Sequence, residues 1–177
     1  MLWVAHGLPA PAVDIFHKIR KFDWYRTAML ISSHTAHQFD KMGRGGNPLH
    51  VALGARQVVP ADIIYDLLEA NPGAAAFADR AGKMPLHYAA EYNSCEPEVF
   101  TAVLEAHPEA ARHKNKWGQL PIHYATWRRA PPEIIRQLHE AYPEGAELTD
   151  TLAGFSAEQT ILNTSLKGGE AEAATAS

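Results

Sequence analysis

Histidines, a lone cysteine, a glycine-rich loop and a basic-aromatic cluster are the features of this sequence that could do chemistry. Ten histidines stand in 177 residues, enough in principle for a metal site or a general base. Metal ligands must converge within a few ångströms of one ion. His50, His87 and His123 instead occupy one recurring place, in segments about a unit apart. One histidine per layer does not converge on a metal. His34 and His37 could share a helical face, but no cysteine or glutamate pair at ligand spacing accompanies them, so they read as a solvated or turn pair. His6, His17, His107, His113 and His139 form no group. Cys95 has no local nucleophile motif, and a single cysteine excludes an internal disulfide and hence a stapled secreted scaffold. The stretch Gly43-Arg44-Gly45-Gly46-Asn47 lacks the Lys-Ser/Thr and the preceding strand of a phosphate loop, and reads as a lengthened turn. Asn163-Thr164-Ser165 matches a glycosylation sequon, which matters only in a secreted chain. No catalytic residue, metal or cofactor is expected.

What positions these groups is an internal repeat. Asn47-Pro48-Leu49-His50-Val51-Ala52, Met84-Pro85-Leu86-His87-Tyr88-Ala89 and Leu120-Pro121-Ile122-His123-Tyr124-Ala125 align, with prolines 37 and then 36 residues apart. Each is followed by an apolar run: Ile63 to Leu68, Val99 to Leu104, and Ile134 to His139. Each run ends at a proline turn: Asn71-Pro72, His107-Pro108 or Tyr142-Pro143. Pro48, Pro85 and Pro121 suit the first turn of a short helix, where a missing N–H removes no bond, and Pro97 and Pro132 suit the start of a second one. Between units stand Asp40-Lys41-Met42-Gly43, Asp79-Arg80-Ala81-Gly82 and Asn115-Lys116-Trp117-Gly118. An Asp or Asn that bonds its own backbone, followed by a glycine free to take a positive φ, is turn chemistry. A two-helix unit of this size cannot bury its apolar stripe alone, so neighbours must stack. The expected fold is all-α.

These motifs resemble the ankyrin repeat, D-x-x-G-x-T-P-L-H-x-A, in a slightly long form of about 36 residues similar to repeats of unicellular algal proteins. The likeness is strong over residues 40–148. It departs at the motif threonine, replaced by Asn47, Met84 and Leu120, and in the loops between paired helices, as at Asn93-Ser94-Cys95-Glu96. The resemblance implies a solenoid of antiparallel helix pairs joined by β-turn fingers. It gives Pro48, Pro85, Pro121, Gly82 and Gly118 structural roles, and it implies that His50, His87 and His123 hydrogen-bond backbone between neighbouring repeats. The units would be a degenerate N-terminal capping repeat (1–40), repeats at 41–78, 79–114 and 115–149, a C-terminal cap or partial repeat (150–166) and a disordered tail (167–177).

Charge singles out one region. Residues 112–129 hold Arg112, Lys114, Lys116, Arg128 and Arg129 with no acid, which leaves 11 basic and 20 acidic residues elsewhere. The same stretch holds Trp117, Trp127 and Tyr124, and aromatic and Arg residues dominate interface hot spots. By the resemblance, the concave partner-binding surface would use Lys41, Met42, Arg44, Arg80, Lys83, Glu91 and Tyr92, then Lys116, Trp117, Gln119, Trp127 and Arg128. The duller alternative packs Trp127 inward against Leu138 or a cap helix and leaves the charges as a solvated face. The implied function is a non-enzymatic protein-interaction module that takes another protein, by an acidic segment. A net charge of −4 argues against nucleic acid. No apolar run approaches the ~18 residues of a membrane span, and no small-molecule substrate is expected. The alternatives are a regulatory arm or fragment of a larger multidomain protein, or, less favoured, nucleic-acid binding through residues 112–129. The start of the chain lacks signal-peptide form, so the expected location is the cytoplasm, with the nucleus as the second choice.

Overall fold

Seven α-helices and three short 3₁₀ segments, with no strand, make up the described residues of the computed structural model, which are 15–21, 23, 27, 28, 30, 31, 44–55, 57–92 and 96–146. In chain order the helices are α1 (Ile15–Arg20), α2 (Pro48–Leu53), α3 (Ala61–Ala70), α4 (Pro85–Tyr92), α5 (Pro97–Ala106), α6 (Pro121–Trp127) and α7 (Pro132–Ala141). Prolines open α2, α4, α5, α6 and α7, where the ring presets φ and the absent N–H has no helical partner to lose.

The second helix of each unit stops in the same way. Asn71, His107 and Tyr142, each followed by proline, sit at φ −148°, −154° and −150°, with ψ near 85°. A proline disfavours the helical region for the residue before it. It also opens a 3₁₀ turn in each unit, at Pro72–Ala76, Pro108–Arg112 and Pro143–Ala146.

Helices of like position stack. α1 packs on α2, α2 on α4 and α4 on α6, while α3 packs on α5 and α5 on α7. Each unit also closes on itself, α2 on α3, α4 on α5 and α6 on α7. The inner helices are thus covered on several sides, and every residue from Pro85 to Ala90 is buried. The outer helices bury one stripe each, Ile63, Ile64 and Leu67, then Val99, Phe100 and Val103, then Ile134 and Leu138. One continuous apolar cluster runs from Ile15 and Ile19 to Leu138.

The turns that precede α2, α4 and α6 each contain a glycine in the left-handed region, at φ 77° (Gly45), 75° (Gly82) and 73° (Gly118). Gly45, three residues before Pro48, stands where Gly82 and Gly118 stand before Pro85 and Pro121, while the expected turn glycine Gly43 lies outside the described residues. At Gly82 a Cβ would also stand 3.1 Å from the Lys116 backbone nitrogen. Gly82→Val should therefore lower unfolding free energy by about 1–3 kcal/mol, read as a shifted urea midpoint. An unchanged midpoint would show that the positive φ is not required. The expected cap at 150–166, the tail at 167–177, Lys41, Met42, Cys95, His6, His34, His37 and the sequon also lie outside the described residues.

Candidate interaction surface

Two turns are built to one plan around a buried side chain. Asp79 Oδ1 accepts the N–H groups of Ala81 and Lys83, both at 2.8 Å, and its Oδ2 accepts the Tyr88 hydroxyl at 2.7 Å. One unit later, Asn115 Oδ1 accepts from Trp117 N at 2.9 Å and Gln119 N at 3.0 Å, while its amide donates to the Tyr124 hydroxyl oxygen at 2.9 Å. The turns are also joined edge to edge: Arg80 N–H donates to the Arg44 carbonyl and Lys116 N–H to that of Ala81, each at 3.0 Å. Burial, with the Asp79 hydrogen bond adding to it, pushes the Tyr88 hydroxyl well above its ordinary pKa, so it stays a donor.

The motif histidines link unit to unit. Their Nδ1 atoms accept the N–H of Asn47 (3.2 Å), Met84 (3.2 Å) and Leu120 (2.9 Å). That leaves the proton on Nε2, which for His50 donates to the Lys83 carbonyl at 3.1 Å and for His87 to the Gln119 carbonyl at 3.2 Å. The caps do not depend on the residue that replaces the motif threonine, because the imidazole meets its backbone. Asn47 adds a side-chain acceptor for His50 N–H at 3.2 Å. Burial lowers the pKa of His50 to about 4 and that of His87 to about 3. Both rings are neutral structural groups. His113 joins them, with Nε2 3.1 Å from the Gly82 carbonyl and its ring edge-on to His87 at 6.0 Å.

The residues expected to line a binding surface divide into two sets. Lys83 (5% exposed) and Gln119 (3%) are buried and offer little to a partner. Lys83 Nζ lies 2.6 Å from Glu91 Oε2 and 4.1 Å from the centre of the Tyr124 ring in the next unit. Gln119 is turned in, accepting from Asn115 Nδ2 at 3.1 Å and from the Tyr124 hydroxyl. Glu91 is held from the other side by Arg128, at 3.4 Å. Tyr92 is half-buried and stacks on Tyr88 at 6.1 Å.

The second set is open to solvent. Trp117 is 46% and Trp127 41% exposed, and Arg80, Lys116 and Arg128 are exposed too, as are Lys114 and Arg129 of the same basic stretch, which were not expected to line it. Trp127 rests edge-on against Tyr124 at 5.6 Å rather than packing inward. Within residues 79–92 and 112–129 the acids are Asp79 and Glu91 alone; the first is buried and the second sits between two cations. The exposed charge of this surface is therefore positive.

Tyr88 and Tyr124 organise the surface: the sequence marks Tyr124 as part of the aromatic stretch but gives Tyr88 no role. The available signal was their shared place, directly after the motif histidine in two units, where the first unit has Val51. Among the described residues no cluster of three or more His, Cys, Asp or Glu could hold a metal ion. Among them, too, no helix is long and apolar enough to cross a membrane. The chain matches no protein-family model and no curated protein.

Proposed function

We propose that the chain is an array of slightly long ankyrin-type repeats, a solenoid with protruding turns, and that it works as a non-enzymatic protein-interaction module. The observation that carries the reading is the surface of the second and third units. It exposes two large aromatic side chains, Trp117 and Trp127, among cations and with no exposed acid between them. Large rigid aromatics bury much area at small entropy loss, and arginine can stack on and bond to what they cover. The surrounding positive charge steers an acidic segment towards them. The ionisable groups beneath are tied to one another in hydrogen bonds and ion pairs, so they act as a rigid base rather than as reagents.

The test is to replace both tryptophans with alanine. Because each is more than two-fifths exposed, the double variant should keep its unfolding free energy within about 1 kcal/mol of the parent, while affinity for acidic protein segments falls at least about tenfold. Unchanged binding by a folded double variant would rule the surface out.

A further inference from the structure

Arg129 is the one residue other than glycine that stands in the left-handed region among the described residues, at φ 54°. It closes α6 in a Schellman turn. Its N–H donates to the Thr126 carbonyl at 3.1 Å, and Ala130 N–H donates to that of Ala125 at 2.9 Å. Glycine is the usual residue there, because a Cβ crowds the backbone in that conformation. The chain keeps an arginine instead, and nothing inside the fold uses its charge. Arg129 is exposed, and among the described residues its guanidinium meets no partner. Arg128 reaches Glu91 at 3.4 Å, and Glu133, the next acid along the chain, is held by Arg136. The end of a helix favours a cation, but Arg128 already supplies one to α6. The turn is not a backbone anion site either, since the N–H groups of Arg128, Arg129 and Ala130 are all bonded to helix carbonyls. What the strained position presents is a side-chain cation two residues from Trp127, which is 41% exposed.

We propose that Arg129 is a partner-contact residue: its guanidinium takes a carboxylate from an acidic segment of a partner protein while an apolar group of that segment covers Trp127. Backbone strain persists where the surrounding structure holds it and gathers at binding sites. Arginine suits the task because its planar fork can bond a carboxylate through two N–H groups. Consecutive Cα atoms are 3.8 Å apart, so those of Trp127 and Arg129 lie within about 7.6 Å of each other, and one short segment can reach both. The inference rests on the protein-interaction reading and adds to it the residue that recognises the acid.

The experiment uses the full chain, a labelled dodecapeptide rich in glutamate and leucine, and its twin with glutamine in place of glutamate. Arg129→Gly should raise the urea midpoint, with the unfolding constant about threefold lower or more. The same variant, and Arg129→Gln, should bind the glutamate peptide about threefold more weakly or worse in fluorescence anisotropy at low salt. Lys114→Gln, which removes an exposed cation of the same stretch, should weaken binding by a smaller factor. The glutamine peptide should not distinguish Arg129→Gln from the parent. Equal losses in Lys114→Gln and Arg129→Gln would show a diffuse field and overturn the contact. An unmoved midpoint in Arg129→Gly would overturn the strain argument. Parent-like binding by Arg129→Gly, with binding lost in the double tryptophan variant, would overturn this inference and leave the interaction reading standing. If the parent chain does not bind the glutamate peptide, both fall.

Discussion

Between pH 7 and pH 5 the chain should lose roughly 3–4 kcal/mol of folding stability, through two histidines that burial keeps neutral. An unfolded histidine takes up its proton near pH 6.5, whereas His50 and His87 in the fold do so only near 4 and 3. Below pH 6.5 the unfolded chain therefore binds protons that the folded chain does not, and stability falls as the pH is lowered towards 4. Each such proton changes stability by about 1.36 kcal/mol per pH unit, so two give a slope of about 2.7 kcal/mol per unit. The geometry explains why the fold resists protonation. In both rings Nδ1 already accepts a backbone N–H and Nε2 donates to a carbonyl. A second proton would displace that N–H and place a charge among buried neighbours; at His50, where Asn47 Oδ1 stands 2.8 Å from Nδ1 and would accept the proton, burial is what opposes it. For His87 those include Lys83 and His113, both of which oppose it; for His50, Asp79 favours the charge but burial prevails. Urea unfolding at several pH values between 7 and 5 measures the slope. His87→Gln, although less stable, should show only half of it. A flat profile from pH 6.5 to pH 4.5 would overturn the assignment of both rings.

Much of this arrangement is legible in the sequence, because it is repeated. Pro48, Pro85 and Pro121 mark helix starts whatever surrounds them, since the ring acts locally. The residues Asn71, His107 and Tyr142 stop helices for an equally local reason, the proline that follows each. In the first turn, counting from Asp40 points to Gly43, which lies outside the described residues, while counting back from Pro48 reaches Gly45, whose φ is positive. The burial of Lys83 and Gln119 is not legible in the sequence. Motif position places Lys83, Glu91 and Gln119 on one side of a unit, but their exposure depends on what the next unit sets opposite. Tyr124 lies over Lys83, and Arg128 comes across to Glu91. Such contacts cross a whole repeat, with residues about 40 positions apart facing each other, so no local pattern announces them. Trp127 illustrates the converse: a large apolar side chain whose edge finds Tyr124 and whose remaining surface is left to solvent.

Removing Glu91 should be the more damaging way to break the Lys83–Glu91 pair. Lys83 is 5% exposed and its Nζ lies 2.6 Å from the carboxylate. The other carboxylate nearby, Asp79, already accepts two backbone N–H groups and a hydroxyl. Glu91→Ala thus leaves a buried ammonium with only the faces of Tyr124, at 4.1 Å, and Tyr88, at 5.6 Å, to compensate it. Stranding one charge of a buried pair typically lowers stability by about 3–5 kcal/mol. Lys83→Ala is milder, because Arg128 already stands 3.4 Å from Glu91 on a half-exposed stem and can take the carboxylate over. Its effect should sit at or below the lower end of that range. Joint replacement by apolar residues of similar length, Lys83→Met with Glu91→Leu, should recover most of the loss, since two apolar side chains need no partner and can pack against the tyrosines. The three unfolding free energies, measured side by side, decide the matter: equal effects of the two alanine variants would mean that Arg128 contributes nothing. The double variant also separates structure from recognition. If it folds and still binds acidic segments, Lys83 and Glu91 belong to the interior that holds the surface in shape, and binding resides in the exposed residues around Trp117 and Trp127.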